Sequence, residues 1–474
     1  MRHLSILLIT FLLTSCSTTS RDAERRWLAG DHHIHSQFSV GWEKTNPPKP
    51  IIGGDAIYPI PKNAEMARQF GLEWIVATDH GGPNHSKINL EQAYPALIAS
   101  REEVPEVIQF HGMELNTPGA DHSSLIVPHT PDEAAHLHAF ESRFDKLEAW
   151  PTDPERDTEA IMLDALAFAA TLPQKPVVIA HHPSRSATAL GAYGLTSPAE
   201  LRAWNDAAPD IAVGMEGAPG HQAAELLKAE TKSEYPAWVF SRGAYGRGYP
   251  TLGGFDQMTA RVGGFWDSML AEGRRWWITA NSDSHVHYTE GGIDFWPGEY
   301  SKTYVHALKE HADILDGIRQ GRVFVTTGDL VSELYVTVSQ MAGKAAMGGV
   351  LTSLTDEPVE VVIRFKDPDG ANAAGRDPSV TRVDLIVGEV TGPQQAPDRD
   401  EHKEVRVAAR FTSEDWRSEG GFTVIRHSLH LKAPSYLRVR GTNLADEFEP
   451  EPDEPGEDPW SDLWFYSNPV FVRK

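Results

Sequence analysis

A single cysteine, Cys16, stands in a chain of 474 residues. Without a second thiol there is no intrachain disulfide, and with the only thiol at the extreme amino end the folded body has neither a cysteine nucleophile nor a thiolate metal site. Any metal must be held by nitrogen and oxygen. Basic residues are also scarce: 43 Lys and Arg face 67 Asp and Glu, for a net charge of −24. A phosphate backbone needs a basic stripe and none is visible, which excludes general nucleic-acid binding and leaves at most a small nucleotide as substrate. Part of the acidity is local. Between Asp446 and Asp458, Glu447, Glu449, Glu451, Asp453, Glu454 and Glu457 are interspersed with prolines, as in a solvated loop, a calcium site being the sharper alternative.

A long apolar run is missing too. Leu4 to Leu13 is almost unbroken but falls short of the roughly 20 residues that span a bilayer. It follows Met1-Arg2-His3 and precedes Leu13-Thr14-Ser15-Cys16, which resembles the bacterial lipobox. The resemblance implies that residues 1–15 are a signal peptide, that Cys16 is lipidated, and that 16–26 form a tether. The expected product is an exported lipoprotein of a bacterial envelope. Ser17, where an aspartate would mark inner-membrane retention, points to the outer membrane facing the periplasm.

With 40% hydrophobic residues the chain can bury a large core. From about 27 to 330, short apolar runs alternate with helical stretches, the pattern of parallel strands joined by crossover helices. Ser197-Pro198-Ala199-Glu200 predicts a helix start, and Gly71 and Gly321 predict the ends of helices over 63–70 and 308–320. From 334 to 474 the runs become strand-like, as in 359–364, 382–387 and 435–441, and read as an all-β, sandwich-like module.

Histidines and acids fall repeatedly at the carboxyl ends of the predicted strands. Trp27 to Gly30 leads into Asp31-His32-His33-Ile34-His35, Leu72 to Ala77 into Thr78-Asp79-His80, and Val107 to Gly112 towards Glu114. Val177 to Ala180 leads into His181-His182-Pro183, and Trp276 to Ala280 into Asn281-Ser282-Asp283-Ser284-His285. In an α/β barrel these ends share the face on which such folds build their sites. Alternation along an extended chain lets His33 and His35 converge on one ion and turns His32 away; Asp283 and His285 pair in the same way. By the same rule His181 and His182 should not both face inward, and Asp79 and His80 should divide between supporting and ligating roles. Imidazole and carboxylate without sulfur suit zinc, manganese or iron, ions that give a hydroxide nucleophile near neutral pH.

In their order, these residues resemble the PHP (polymerase and histidinol phosphatase) domain, a distorted seven-stranded, TIM-like α/β barrel that binds up to three metals. The resemblance rests on Asp31-His32-His33-Ile34-His35-Ser36, Thr78-Asp79-His80, Gly112-Met113-Glu114, His122 before an apolar strand, Ala180-His181-His182-Pro183 and Ser282-Asp283-Ser284-His285. It implies a first metal on His33, His35, Glu114 and Asp283, and a second on Glu114 as bridge with His122 and His182. A third would take His80 and His285. The family usually has another His or Asp shortly after H-x-H; here the nearest substitute is Glu43. Asp31 and Asp79 are expected to hold the tautomers and orientations of ligand histidines. Arg185 is expected to clamp a phosphoryl or carbonyl oxygen, and Glu216 and His287 are rim candidates.

Two segments, Gly321 to Gly328 and Trp464-Phe465-Tyr466-Ser467-Asn468-Pro469, resemble the carbaryl-hydrolase (CehA/McbA-type) branch of the family, which pairs the barrel with a β-module. The expected activity is thus metal-dependent hydrolysis of a small-molecule phosphoester by a metal-bound hydroxide, with two or three divalent ions as cofactors. Carbamate, ester or amide hydrolysis with the same metals is the alternative. A reading of another class is a non-catalytic surface lipoprotein whose β-module binds a glycan or a protein partner.

Overall fold

A computed structural model describes residues 24–473 apart from 222, 224–250, 342, 353–356, 394–395, 447 and 455–456. The expected signal peptide, Cys16 and most of the tether lie outside the described residues, as do Glu447, Pro455 and Gly456 of the acidic stretch. The protein is mixed α/β.

Seven strands carry the site: β1 (Arg26–Ile34), β2 (Trp74–Ala77), β3 (Ile108–Asn116), β4 (His122–Ile126), β5 (Val177–Ala180), β6 (Ala212–Pro219) and β7 (Trp277–Asn281). They lie side by side in chain order within one large sheet. β1–β2, β2–β3, β5–β6 and β6–β7 pair in parallel, joined by crossovers as the alternating pattern predicts. β4 departs from that expectation, being antiparallel to both neighbours. Residues 117–121 are the whole link from β3 to β4, and a parallel return needs about a dozen residues. The sheet is therefore mixed.

At its far end β7 bends back towards β1. Asp283 N donates to His33 O at 3.0 Å, and His35 N donates to Ser284 O at 3.0 Å. On the other side of β1 the sheet continues through β8 (Ser301–Ala307) and β9 (Val323–Thr327), both antiparallel.

The helix signals act as chemistry predicts. Glu200 N donates to Ser197 Oγ at 3.2 Å while Ser197 N donates to the Glu200 carboxylate at 2.8 Å, closing a capping box ahead of the helix Pro198–Ala207. Gly71 (φ +78°) and Gly321 (φ +69°) follow the helices Ile60–Gln69 and His311–Arg319 in the left-handed region.

Strands from the last third of the chain extend the same sheet. β9 pairs with Trp464–Ser467, which leads through Ser435–Thr442 to Arg382–Glu389. A separate five-stranded antiparallel sheet is built on Glu333–Gln340, Val359–Lys366 and Phe422–Leu429. Its strands alternate buried and part-exposed residues, so one face is apolar. That face, with Leu334, Val336, Val361 and Ile363, packs against Val383, Leu385, Leu437 and Val439 of the large sheet in a common core.

A buried ion pair ties these later strands to the helix that precedes β7. Arg438 donates to Asp267 through Nε (2.9 Å) and Nη2 (2.7 Å), while Tyr436 Oη and Gly263 N donate to the same carboxylate at 2.9 and 2.7 Å. Both side chains are fully buried. Asp267→Ala strands the guanidinium without its counter-ion and is expected to cost about 3–5 kcal/mol in chemical denaturation, whereas Asp267→Leu combined with Arg438→Met is expected to recover most of that loss.

Candidate metal centre

Ligand-type side chains arrive from each of β1 to β7 and meet at one place. β1 delivers His33 and His35, and an irregularity in its pairing with β2 between Asp31 and Ile34 accompanies the turn of both rings to the same side. His32 is not turned out of the cluster as alternation predicts: it forms a further group with His181 and Glu216 that could hold a metal ion, its Nδ1 3.0 Å from Ser124 Oγ and its Nε2 2.8 Å from Thr279 Oγ1.

The tautomers of the two inward rings follow from what stands behind them. His33 Nδ1 donates to Glu216 Oε1 at 2.7 Å, which leaves the lone pair on Nε2. His35 Nδ1 lies 2.8 Å from Ser39 Oγ, whose own proton goes to Asp79 Oδ1 at 3.1 Å, so the imidazole donates here too. Two bare Nε2 atoms thus face each other at 3.0 Å. Asp283 Oδ1 lies 3.0 and 3.1 Å from them, and the Glu114 oxygens 3.3 and 3.5 Å.

Lone pairs packed so closely repel unless a cation or proton sits among them. These separations approach the edge, about 3.3 Å, of a tetrahedron with 2.0–2.1 Å metal–ligand bonds. Burial works against a charge on His33, but Asp283, Glu114 and Glu216 outweigh it and hold its pKa well above the usual value. The field that retains this proton would equally hold a metal ion.

Glu114, in the middle of β3, is the hub. Its Oε1 is 2.9 Å from His122 Nδ1, 2.8 Å from His181 Nδ1 and 3.2 Å from His182 Nε2. Its Oε2 is 2.8 Å from His80 Nδ1 but out of hydrogen-bonding alignment. Burial alone would raise the carboxyl pKa, yet His122, His80 and His33 keep it well below the carboxylate range. His80 responds in the opposite sense: burial lowers it, while Glu114 and then Asp55 push it up to about 9.

The expectation that only one of His181 and His182 faces inward does not hold. β5 ends at Ala180, and His182 takes φ +21°, so strict alternation lapses and both rings reach Glu114. Asp283, with φ +51°, is a second non-glycine residue in the left-handed region. Each such residue costs on the order of 1–3 kcal/mol, and here both carry centre side chains.

His80 and His285 stand at the mouth. Both approach Asp55, with Nε2 3.7 and 3.5 Å from its Oδ2. His285 Nδ1 donates to the main-chain oxygen of Asp283 at 2.9 Å, so its Nε2 is the free acceptor. Asp55 follows the Gly53-Gly54 turn and gave no motif signal. Glu43, the substitute expected from the sequence, is instead exposed in the chain linking two short paired strands.

Several supporting roles differ from expectation. Asp31 touches no imidazole; it accepts from His33 N and Ser282 N, both at 2.9 Å, and so fastens the backbone of β1 to the end of β7. Asp79 reaches His35 only through Ser39. Glu216, expected at the rim, is fully buried behind the centre, where its two oxygens accept from His33 Nδ1 and His182 N. A lone acid within the otherwise apolar run Ala212–Pro219 was the available signal. His287 turns away towards Glu299 and Thr289. Arg185 pairs through Nη2 with Asp121 beside His122.

Together these side chains form several overlapping groups of His, Glu and Asp, largely buried, that could hold metal ions. No known family model matches the chain, and no curated protein matches it.

If Glu216 sets the tautomer of His33, Glu216→Gln, which removes the ionised acceptor at nearly constant shape, is expected to weaken metal affinity about 10–100-fold. Isothermal titration with Zn²⁺ or Mn²⁺ reads this; unchanged affinity would refute the assignment.

Proposed function

We propose that the protein is a metal-dependent hydrolase of the PHP type acting on a phosphomonoester or phosphodiester. The observation that carries the reading is the sharing of the Glu114 carboxylate among six imidazoles from four strands or their ends, in the order in which the family's motifs occur. The seven strands running side by side, with the last bonded back to the first, support a barrel of that type.

In this reading His33, His35, Glu114 and Asp283 hold a first ion. Glu114, His122 and His182 hold a second, with His181 stacked on His33 at 3.5 Å between centroids and bracing the bridge. His80 and His285 hold a third, for which Asp55 supplies the carboxylate that the sequence had not offered. Zinc, manganese or iron suits such nitrogen and oxygen donors. Bound ions supply Lewis acidity and a nucleophile at neutral pH. The chain's own part is to orient the rings from behind through Glu216, Ser39 and Asp79, and to present the Arg185 guanidinium at the mouth to an anionic oxygen. Among the described residues its Nε and Nη1 have no hydrogen-bonded partner.

A second reading, carbamate, ester or amide hydrolysis with the same metals, draws on the two carboxyl-terminal segments that resemble the carbaryl-hydrolase branch. They are neighbours in space, β9 pairing with Trp464–Ser467. A lipid anchor at Cys16 belongs to the same proposal; among the described residues no helix is long and apolar enough to cross a membrane.

Protein loaded with Mn²⁺, Zn²⁺ or Fe²⁺ is expected to hydrolyse members of a phosphoester panel. Glu114→Ala is expected to lower the rate at least about 10³-fold with its circular dichroism unchanged. Cleavage of carboxyl esters or carbamates alone would select the second reading. Turnover of neither panel by a metal-loaded protein would leave the non-catalytic one. Metal analysis with anomalous scattering is expected to count three ions, and Asp55→Ala to remove only the ion at His80 and His285.

A further inference from the structure

Asn281, the last residue of β7, is fully buried, yet among the described residues neither its amide oxygen nor its amide nitrogen has a hydrogen-bond partner. Its main-chain oxygen is satisfied by Gly220 N at 2.8 Å and by Ser301 Oγ. The side chain is the anomaly, because buried amides are paired almost without exception.

The direction of that side chain follows from its strand. Alternation places Asn281 on the same face of β7 as Thr279, whose hydroxyl meets His32 Nε2 at 2.8 Å. Two residues further on, Asp283 gives its Oδ1 to His33 and His35. The orphaned amide therefore lies on the face that looks onto the histidines, between the floor marked by His32 and the centre itself.

The centre is rich in acceptors. The inward Nε2 atoms of His33 and His35 and the Glu114 and Asp283 oxygens present lone pairs, all suited to ions. Donors for an oxygen that becomes negative during reaction are scarce, and Arg185 stands at the mouth beside Asp121. A carboxamide NH₂ donates without bringing a charge, so it neither competes for the ions nor repels them.

We infer that Asn281 is a catalytic residue whose Nδ2–H donates to the oxygen of the scissile phosphoryl or carbonyl group on which negative charge develops. The inference rests on the hydrolase reading above. Preorganised amide donors of this kind are worth roughly 10²–10³ in kcat. An unpaired amide kept for that purpose would burden the resting fold, so its removal should not weaken the protein.

The test is Asn281→Leu, of similar size and without the amide, with Asn281→Ala read by the same criteria if the leucine fails to fold. The expected result has three parts. The metal-free variant melts at or above the wild-type temperature, its metal content after loading matches wild type, and its kcat falls about 10²–10³-fold with a much smaller change in KM. The probe is p-nitrophenyl phosphate, or p-nitrophenyl acetate if that is what the wild type cleaves. A kcat within threefold of wild type overturns the inference alone. So does a lower melting temperature, which would make the residue structural, or a lost ion, which would make it a ligand. Metal-loaded wild type that turns over neither probe overturns the hydrolase reading and this inference with it.

Discussion

One oxygen of Glu114 lies within 3.3 Å of imidazole nitrogens from His33, His122, His181 and His182, and the other within 3.5 Å of His35 and His80. An isolated carboxylate this deeply buried would be expensive to leave charged, and it would protonate. It stays ionised because the surrounding imidazoles supply positive charge, as protons in the bare protein or as metal ions once they bind. The two rings from β1 in turn depend on supports at their backs, Glu216 for His33 and the Ser39–Asp79 pair for His35. The polar interior of these strands is therefore a single charge-balanced unit, and changing any member shifts the rest.

That unit accounts for the strain and irregularity found within the centre itself. His182 and Asp283 adopt left-handed backbone angles although neither is glycine, and β1 loses strict register between Asp31 and Ile34. A regular strand points adjacent residues to opposite faces, and a centre that draws two neighbouring histidines from one strand end must break this rule. The cost is borne by the apolar packing of the same strands, whose residues, such as Val177 to Ala180 and Ile278, are almost fully buried.

The same distinction marks what could be read in the amino-acid sequence. His33 with His35, the Asp283 carboxylate and the separate roles of Asp79 and His80 were legible because they obey period-two alternation at strand ends. The inward turn of both His181 and His182 was not, since it depends on one backbone angle. Nor was Asp55, which is brought to His80 and His285 by a glycine turn rather than by a strand. Glu216 was visible as a lone acid in an apolar run, but whether such an acid lines the mouth or lies behind the ligands depends on tertiary packing. The antiparallel β4 follows from counting the five residues between β3 and β4, a constraint that outranks the overall alternation of strands and helices.

The carboxyl-terminal strands bear on the centre through β7. One edge of β7 pairs with β6 along its length, whereas the other would present bare amides and carbonyls. Side chains cover it instead. Asn468 accepts from Ile278 N at 3.0 Å and donates to Ile278 O at 3.2 Å, and Thr303 Oγ1 meets both Ala280 N and Ala280 O at 2.7 and 2.6 Å. Asn468 also donates to Val323 O at 3.2 Å, which fastens β7 to β9. Asp283 lies two residues beyond the end of this braced strand, so its position relative to His33 and His35 is set partly by an amide nearly two hundred residues further along the chain. The final strands thus act as an outer support for the ligand set.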